Sequence, residues 1–264
     1  MSVEITGKSK IMFVLADPVD HVRASAVLNA YFAGIGEDVA TSPLHVRPDD
    51  LPAVVGAIRH MNNVVGFGVT IPHKVAIAAL LDEISQNARL IGAVNFVKRT
   101  RDGRLVGDNM DAPGFISALL NRGCTISGKR VLQLGAGGAG RATALAMAQA
   151  RAAELWISNR DPVKAQALAD AIQALHPETK VTAGADTAEN FDLIVNTTSL
   201  GMLSDDPLPI DVSGISNTTV VYDIIVNPPV TRLMVTAAAR GAVTIGGKAM
   251  LDEQMALVAD FIRR

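Results

Sequence analysis

Three segments in the first half of the chain carry side chains able to handle a proton. Lys74 ends Gly68-Val-Thr70-Ile-Pro72-His73-Lys74, just past an apolar run and at the start of a stretch with helical composition. Gly92-Ala-Val-Asn95 and Gly107-Asp108-Asn109-Met-Asp111 then bring an amide and a carboxylate to the ends of later strands. An amine held by a carboxylate can relay the proton of a substrate hydroxyl. Each residue also has an ordinary role open to it. Most lysines are solvated, a helix N-terminus disfavours a cation, and Asp111 can cap the helix that follows it.

A second set lies downstream. The apolar strand Arg130-Val-Leu-Gln-Leu134 runs into Gly135-Ala136-Gly137-Gly138-Ala139-Gly140 and then into Arg141 to Ala150, a run of strong helix formers. Strand, glycine turn and helix in that order are what a dinucleotide needs: a tight turn, close backbone approach to a pyrophosphate, and free helix N–H groups facing it. At the end of the next strand come Asn159-Arg160-Asp161, where the adenosine ribose is read. Arg160 can stack on adenine or attract a 2′-phosphate. Asp161 can accept from ribose hydroxyls and repel that phosphate, or simply cap the helix that Pro162 begins. The carboxylate favours NAD as the cofactor, with NADP left open.

These residues need a scaffold. In 264 residues, 49% hydrophobic and 19% charged, there is enough apolar surface for two modest domains and too much for a disordered chain. Lys and Arg number 24 against 26 Asp and Glu, with no basic block, so a small molecule rather than nucleic acid is the expected partner. Cys124 is the single cysteine, which excludes an internal disulfide and a multi-cysteine metal site and suits a reducing cytoplasm. No metal is expected. No apolar window approaches the roughly 20 residues of a membrane span, and the stretch after the charged N-terminus is too short for a signal peptide. A monomer or homodimer in the cytoplasm is the expectation.

Apolar runs alternate with helical stretches, the pattern of an α/β protein built from βαβ units around parallel sheets. Strands are expected near 10–16, 37–43, 64–70, 93–98, 129–134, 153–158, 179–183, 192–196, 218–222 and 242–246. Helices are expected near 22–34, 49–61, 72–90, 112–122, 138–151, 161–175, 229–240 and 248–263. The reading divides the chain into an N-terminal α/β substrate domain, 1–114, and a Rossmann-type doubly wound dinucleotide-binding domain, 115–247. The C-terminal helix, 248–264, returns to complete the first domain, and a cleft between two such domains is the usual place for a ligand.

Taken together the motifs resemble the shikimate dehydrogenase family over nearly the whole chain. The resemblance rests on Val69-Thr70-Ile-Pro72-His-Lys74, Gly92-Ala-Val-Asn95, Asn109-Met-Asp111-Ala-Pro-Gly114, Gly135-Ala-Gly-Gly-Ala139, Asn159-Arg160, Asn196-Thr-Thr-Ser199-Leu-Gly201-Met202 and Gly247-Lys-Ala-Met250-Leu251-Asp-Glu-Gln254, in that order. It implies an NAD- or NADP-dependent enzyme interconverting a ring hydroxyl and ketone of a shikimate- or quinate-like acid. Lys74 and Asp111 would be the catalytic pair, with Thr70, Asn95 and Gln254 hydrogen-bonding the substrate. Gly135, Ala136, Gly137, Gly138 and Ala139 would meet the pyrophosphate, and Asn159, Arg160, Asp161 and Lys164 the adenosine. Thr197, Ser199, Ile224, Val226 and Gly247 would line the path to the nicotinamide.

The departures from the family pattern fall on the substrate side. Where the family has a Ser-x-Ser pair for a carboxylate, this sequence has Val22-Arg23-Ala24, and Val226 stands where a tyrosine is usual. Met110 replaces a common threonine and Asp252 a usually apolar residue. A buried carboxylate deprived of donors costs several kcal/mol, on the order of 1–3 per lost partner. Arg23, with His21 and Ser25 nearby, is the candidate replacement. Two alternatives stay open: the same chemistry on a different ring alcohol, and a dinucleotide-binding sensor without turnover.

Overall fold

The computed structural model describes residues 5–20, 22–185 and 187–263. The chain divides into two compact units, one formed by Met1–Met110 with Leu251–Arg264 and the other by Asp111–Met250. Along the first unit run β1 (Lys10–Ala16), α1 (Ala24–Gly34), β2 (Val39–His45), α2 (Leu51–Ile58), β3 (Val64–Val69), β4 (Glu83–Ile84), α3 (Gln86–Ile91), β5 (Phe96–Arg99) and β6 (Leu105–Asp108). The second unit follows with α4 (Asp111–Leu120), β7 (Arg130–Leu134), α5 (Gly138–Gln149), β8 (Glu154–Ser158), α6 (Pro162–Leu175), β9 (Lys180–Ala183), β10 (Leu193–Asn196), β11 (Val220–Asp223), α7 (Arg232–Ala238) and β12 (Val243–Gly246). Helix α8 (Lys248–Arg263) ends the chain.

The first unit is one six-stranded sheet in the order β2-β1-β3-β5-β6-β4. Strand β1 is apolar on both faces, as a strand covered on both sides must be. Its Met12 and Val14 pack with Leu28 and Phe32 of α1 and Met255 and Val258 of α8. Ile11, Phe13 and Leu15 point the other way, onto Val55 and Ile58 of α2 and Phe67 of β3. Helix α8 therefore contributes Met255, Val258 and Ala259 to the core of the first unit. Pro43 falls in β2, at the sheet edge, where a missing N–H breaks no ladder bond.

Two expectations for this unit need correction. The sheet is not all parallel: β5 runs antiparallel to both β3 and β6. The sequence reading missed β6, although Asp102-Gly103 at the hairpin tip is a turn signal in its own right. Nor is there a single helix over 72–90. A turn spans 71–75, a short 3-10 turn Ala76–Leu80, then β4 and α3. Pro72 lacks an N–H, and the segment's backbone is engaged elsewhere: Val94 N donates to Lys74 O, Asp82 N to Leu105 O and Ser85 N to Gly107 O. Ser85 then caps α3 through its Oγ, 3.0 Å from Ala88 N.

The second unit is a six-stranded sheet, all parallel, in the order β12-β11-β10-β7-β8-β9. Read within the unit, this is the doubly wound order whose reversal point lies between β7 and β10. Leu132, Ile194 and Val221 pack with Leu233 and Ala237 of α7 on one face. Helix α5 is buried along Ala142 to Ala148, and small side chains let it lie close to the sheet. Phe115 of α4 stacks on Tyr222 of β11 at 5.1 Å between ring centres.

Several polar side chains are sealed into this unit, and one of them lies under the glycine turn. Gln133, fully buried on β7, donates from Nε2 to Gly135 O (2.8 Å) and Gly140 O (2.9 Å) and accepts from Thr143 Oγ1 (2.7 Å). It closes the glycine turn from beneath. Gln133→Leu keeps the volume and takes the side-chain donor from Gly135 O, while Gly140 O keeps Thr143 Oγ1 at 3.2 Å, so thermal unfolding should show a loss of about 1–3 kcal/mol. An unchanged melting temperature would mean that the turn holds without it.

Candidate active site

In the first unit the candidate residues gather beyond the ends of β1, β3 and β5. Thr70, the first residue after β3, donates its N–H to Leu15 O, and Asp17 N returns a bond to Ile71 O. The turn is anchored from behind by His73. Its ring is 1% exposed, and Nε2 lies 2.7 Å from Val46 O; a carbonyl only accepts, so Nε2 carries the proton. Lys74 is half-buried in the turn, not on a helix, so the dipole argument against a cation there does not apply.

Asn95 is the junction of three strand ends. Its backbone O accepts from Val69 N (2.7 Å), its N donates to Asp108 O (3.1 Å), and its side-chain Oδ1 accepts from Met110 N (2.7 Å). Asn109 Nδ2 donates to Ala93 O (3.0 Å), and Asp108 is bonded to Ser85 Oγ. The lattice brings Thr70, Lys74 and Asn95 side by side and fixes the residue before Asp111. Asp111 opens α4 at 4% exposure, and Gln254 is buried on α8 at 5%.

Arg23 precedes α1, is exposed and makes no cap hydrogen bond to the helix. Val22 and Ala24 on either side pack onto the cluster of Met12, Val14, Phe96 and Met110. The first turn of α1 thus offers a guanidinium between two apolar side chains. Ser25 is buried, and His21 lies outside the described residues.

The second unit holds the glycine turn at the reversal point of its sheet. Gly135 has φ +105°, and a Cβ on it would stand 2.5 Å from Thr197 Oγ1, so only glycine fits. Thr197 Oγ1 in turn donates to Leu134 O (2.7 Å). Gly137 is exposed with open space where a side chain would be, and it precedes α5 with no side-chain cap. With Gly138 and Ala139 in the first turn, free N–H groups face a cradle that a Cβ would fill, the fit a pyrophosphate requires. Asn159 Oδ1 accepts from Ala136 N (3.3 Å), tying β8 to the turn.

Asp161 behaves as a helix cap. Its Oδ1 accepts from Val163 N (3.0 Å) and Lys164 N (3.4 Å), and Oδ2 lies 3.8 Å from Lys164 Nζ. Arg160 is exposed beside it. Beyond β10 and β11, Thr197, Ile224 and Val226 are half-buried, Ser199 is exposed and Gly247 is buried. Sequence reading passed over two polar residues that organise this end, Gln133 and Asp223. Each is a polar residue interrupting an apolar strand, which is the signal that marks them.

Among the described residues no group of three or more His, Cys, Asp or Glu could hold a metal ion, and no helix is long and apolar enough to cross a membrane. A doubly wound parallel sheet with a glycine cradle at its reversal point, joined to a unit that gathers a lysine and an amide at its strand ends, defines a dinucleotide-dependent oxidoreductase. Comparison with known proteins narrows this. Residues 14–97 match the shikimate dehydrogenase substrate binding domain, and residues 118–203 match the shikimate / quinate 5-dehydrogenase family. The chain is 40% identical over 261 residues to the shikimate dehydrogenase (NADP(+)) of Geobacter metallireducens, covering 96% of this chain and 90% of that protein. It belongs to the shikimate dehydrogenase family.

Two solved structures are similar over almost their full length. A shikimate dehydrogenase in complex with NADP+ superposes with a TM-score of 0.91 at 34% identity, over 98% of this chain and 91% of that one. The ligand-free 5-ketofructose reductase of Gluconobacter sp. strain CHM43 does so with a TM-score of 0.85, also at 34% identity, over 97% and 93%.

Proposed function

We propose that the protein is an NADP(H)-dependent dehydrogenase interconverting a ring hydroxyl and the corresponding ketone of a shikimate- or quinate-like hydroxy acid. The observation that carries this reading is the backbone lattice that sets Thr70, Lys74 and Asn95 together and fixes Met110 just before Asp111. The unit with the glycine cradle would bind the cofactor, and the other unit the substrate. When bound, the oxidised dinucleotide supplies the hydride acceptor. Lys74 Nζ takes the hydroxyl proton as the carbonyl forms and returns it in the reverse direction. Thr70, Asn95 and Gln254 hold the ring hydroxyls, and Arg23 takes the carboxylate with its planar pair of N–H donors.

The choice of NADP over NAD reverses the expectation drawn from Asp161. That expectation needed a carboxylate free to meet ribose hydroxyls and repel a phosphate. Here it is spent on the N–H groups of α6 and lies beside Lys164, which offsets its charge. Arg160 and Lys164 are then the groups left to meet a 2′-phosphate, and the curated relative from Geobacter metallireducens is an NADP(+) enzyme.

A second reading draws on two observations, the apolar pair Val22 and Ala24 beside Arg23 and the likeness to a 5-ketofructose reductase, although the relatives named shikimate dehydrogenase favour the first. In it the substrate is a neutral polyhydroxy ketone and Arg23 faces water. Both readings use the same chemistry.

Initial rates with shikimate, quinate and 5-ketofructose, each with NADP(H) and NAD(H), test the function. Lys74→Met should lower kcat by roughly 10²–10⁴ with cofactor affinity unchanged, the range for loss of a general acid–base group. Equal turnover by wild type and variant would remove Lys74 from the chemistry. Arg23→Leu should raise KM for the acids by about tenfold or more, as loss of a charge-assisted bond implies, and leave a neutral ketone unaffected. If only the neutral ketone is turned over, and Arg23→Leu is silent, the second reading holds. Arg160→Ala with Lys164→Ala should weaken NADP by at least about tenfold and leave NAD nearly unchanged; equal effects on both would return Asp161 to the ribose.

A further inference from the structure

Asp223 ends β11 with its carboxylate wholly out of solvent, among groups that the reaction does not use. All its recorded partners are donors. Oδ2 accepts from Thr231 Oγ1 (2.7 Å) and from Asn196 Nδ2 (3.2 Å), and Oδ1 accepts from Ile225 N (3.1 Å). Burial pushes this carboxyl above the ordinary carboxylate value, and the three donors work in the opposite direction. A buried carboxylate with that many directed donors is a fastener, and the question is what it fastens.

Each partner belongs to a loop at the ligand-bearing end of the parallel sheet. Asn196 ends β10. Its Nδ2 also donates to Leu200 O (3.1 Å), and its Oδ1 accepts from Thr198 N (3.1 Å) and Thr198 Oγ1 (2.7 Å), which shapes the Thr197–Leu200 turn. Ile225 lies in the loop after β11, between Ile224 and Val226. Thr231 ends that loop and caps α7 through Met234 N (3.3 Å). The loop after β12 docks on the same segment: Gly247 N donates to Ile225 O (3.2 Å), and a Cβ at Gly247 would stand 2.1 Å from Ile224 O. One carboxylate thus ties the loops after β10 and β11 to each other, and Gly247, after β12, rests on the loop after β11. The opposite half of the cradle, Gly135 to Ala139 with Asn159 to Lys164, has no bond to Asp223.

We infer that Asp223 is a positioning residue for the nicotinamide half of the cofactor, acting through the Thr197–Leu200, Ile224–Val226 and Gly247 loops and leaving the adenosine half alone. The inference rests on the dinucleotide-binding reading given above and adds a residue and a division of labour to it. Losing the carboxylate leaves an N–H, an amide and a hydroxyl to find new partners in a closed space, and the loops they hold relax. Removing a nicotinamide anchor should cost affinity only for a ligand that has a nicotinamide.

Calorimetric titration separates this from a general loss of structure. Wild type, Asp223→Asn and Thr231→Val would each be titrated with NADP+ and with 2′,5′-ADP, which carries the adenosine half alone; NAD+ and ADP replace them if wild type prefers NAD. Asp223→Asn is nearly isosteric, and Thr231→Val removes one donor and leaves the carboxylate in place, so the test does not hang on one variant folding. The expected result is dinucleotide affinity weakened by about tenfold or more in Asp223→Asn and less in Thr231→Val, with the fragment bound as in wild type, the scale set by loss of a hydrogen bond to a charged group. Wild-type dinucleotide affinity in Asp223→Asn, or a parallel loss for dinucleotide and fragment, overturns the inference and leaves the cofactor reading intact. Failure of wild type to bind either dinucleotide overturns both.

Discussion

The approach of Gly135 to Thr197 is the contact on which the second unit depends. Two loops leave adjacent parallel strands in opposite directions there, and the space between them admits no side chain. The turn can close only with glycine at φ +105°, and once closed it aims the start of α5 and the exposed Gly137 at the same point. Gln133 then holds the turn's own carbonyls from below, so the cradle stays open above while every polar group beneath is satisfied. A binding surface made of backbone N–H groups needs this kind of support, because it has no side chains of its own to adjust.

The first unit solves a related problem differently. Its sheet changes from parallel to antiparallel at β5, so the ends of β1 and β3 meet the start of β5 and the end of β6 on one side. Four chain segments converge within a few residues: 69–74, 93–95, 108–110 and the first residues beyond β1. They are stitched almost entirely by main-chain bonds and by the amides of Asn95 and Asn109. The lysine therefore sits in a turn held from behind by a buried histidine, a placement of the kind the proposed proton transfer would require.

Legibility in the sequence followed how local each signal was. The glycine turn, the strand before it and the helix after it are contiguous, and they were read with the right order and nearly the right bounds. Helix α8 is legible from apolar spacing, which fixes its buried face but not the sheet that face meets; Met255 and Val258 pack with Met12 and Val14 of β1. The stretch 72–90 misled because its composition is helical, while its backbone bonds go to Val94, Leu105 and Gly107, residues that only tertiary pairing brings near. Asp161 shows a subtler limit. Its two possible roles use the same carboxylate oxygens, and only coordinates reveal that the helix N–H groups have taken them. The two buried fasteners, Gln133 and Asp223, were visible as polar interruptions of apolar strands, yet nothing local says which loops they hold.

The two halves of the proposed chemistry are therefore built with different tolerance to change. Asn95 holds Met110 N through its side-chain Oδ1, so altering it disturbs the end of the sheet, whereas Lys74 joins the lattice through its main-chain carbonyl, which accepts from Val94 N. Residues 22–24 stand at the first turn of a surface helix, where Arg23 makes no cap bond and its neighbours ask only to be apolar enough to cover Met12 and Phe96. A substitution there changes which groups face a ligand without breaking a bond that the fold requires. On the proposed reading, the same scaffold would keep its proton-transfer residues while recognition of a carboxylate passed from hydroxyls to the Arg23 guanidinium, or was given up. Of the departures from the family pattern, those at residues 22–24 and at Val226 lie on a helix end and a loop, where physical tolerance is greatest, while Met110 enters the lattice only through its main-chain N–H and Asp252 stands on α8.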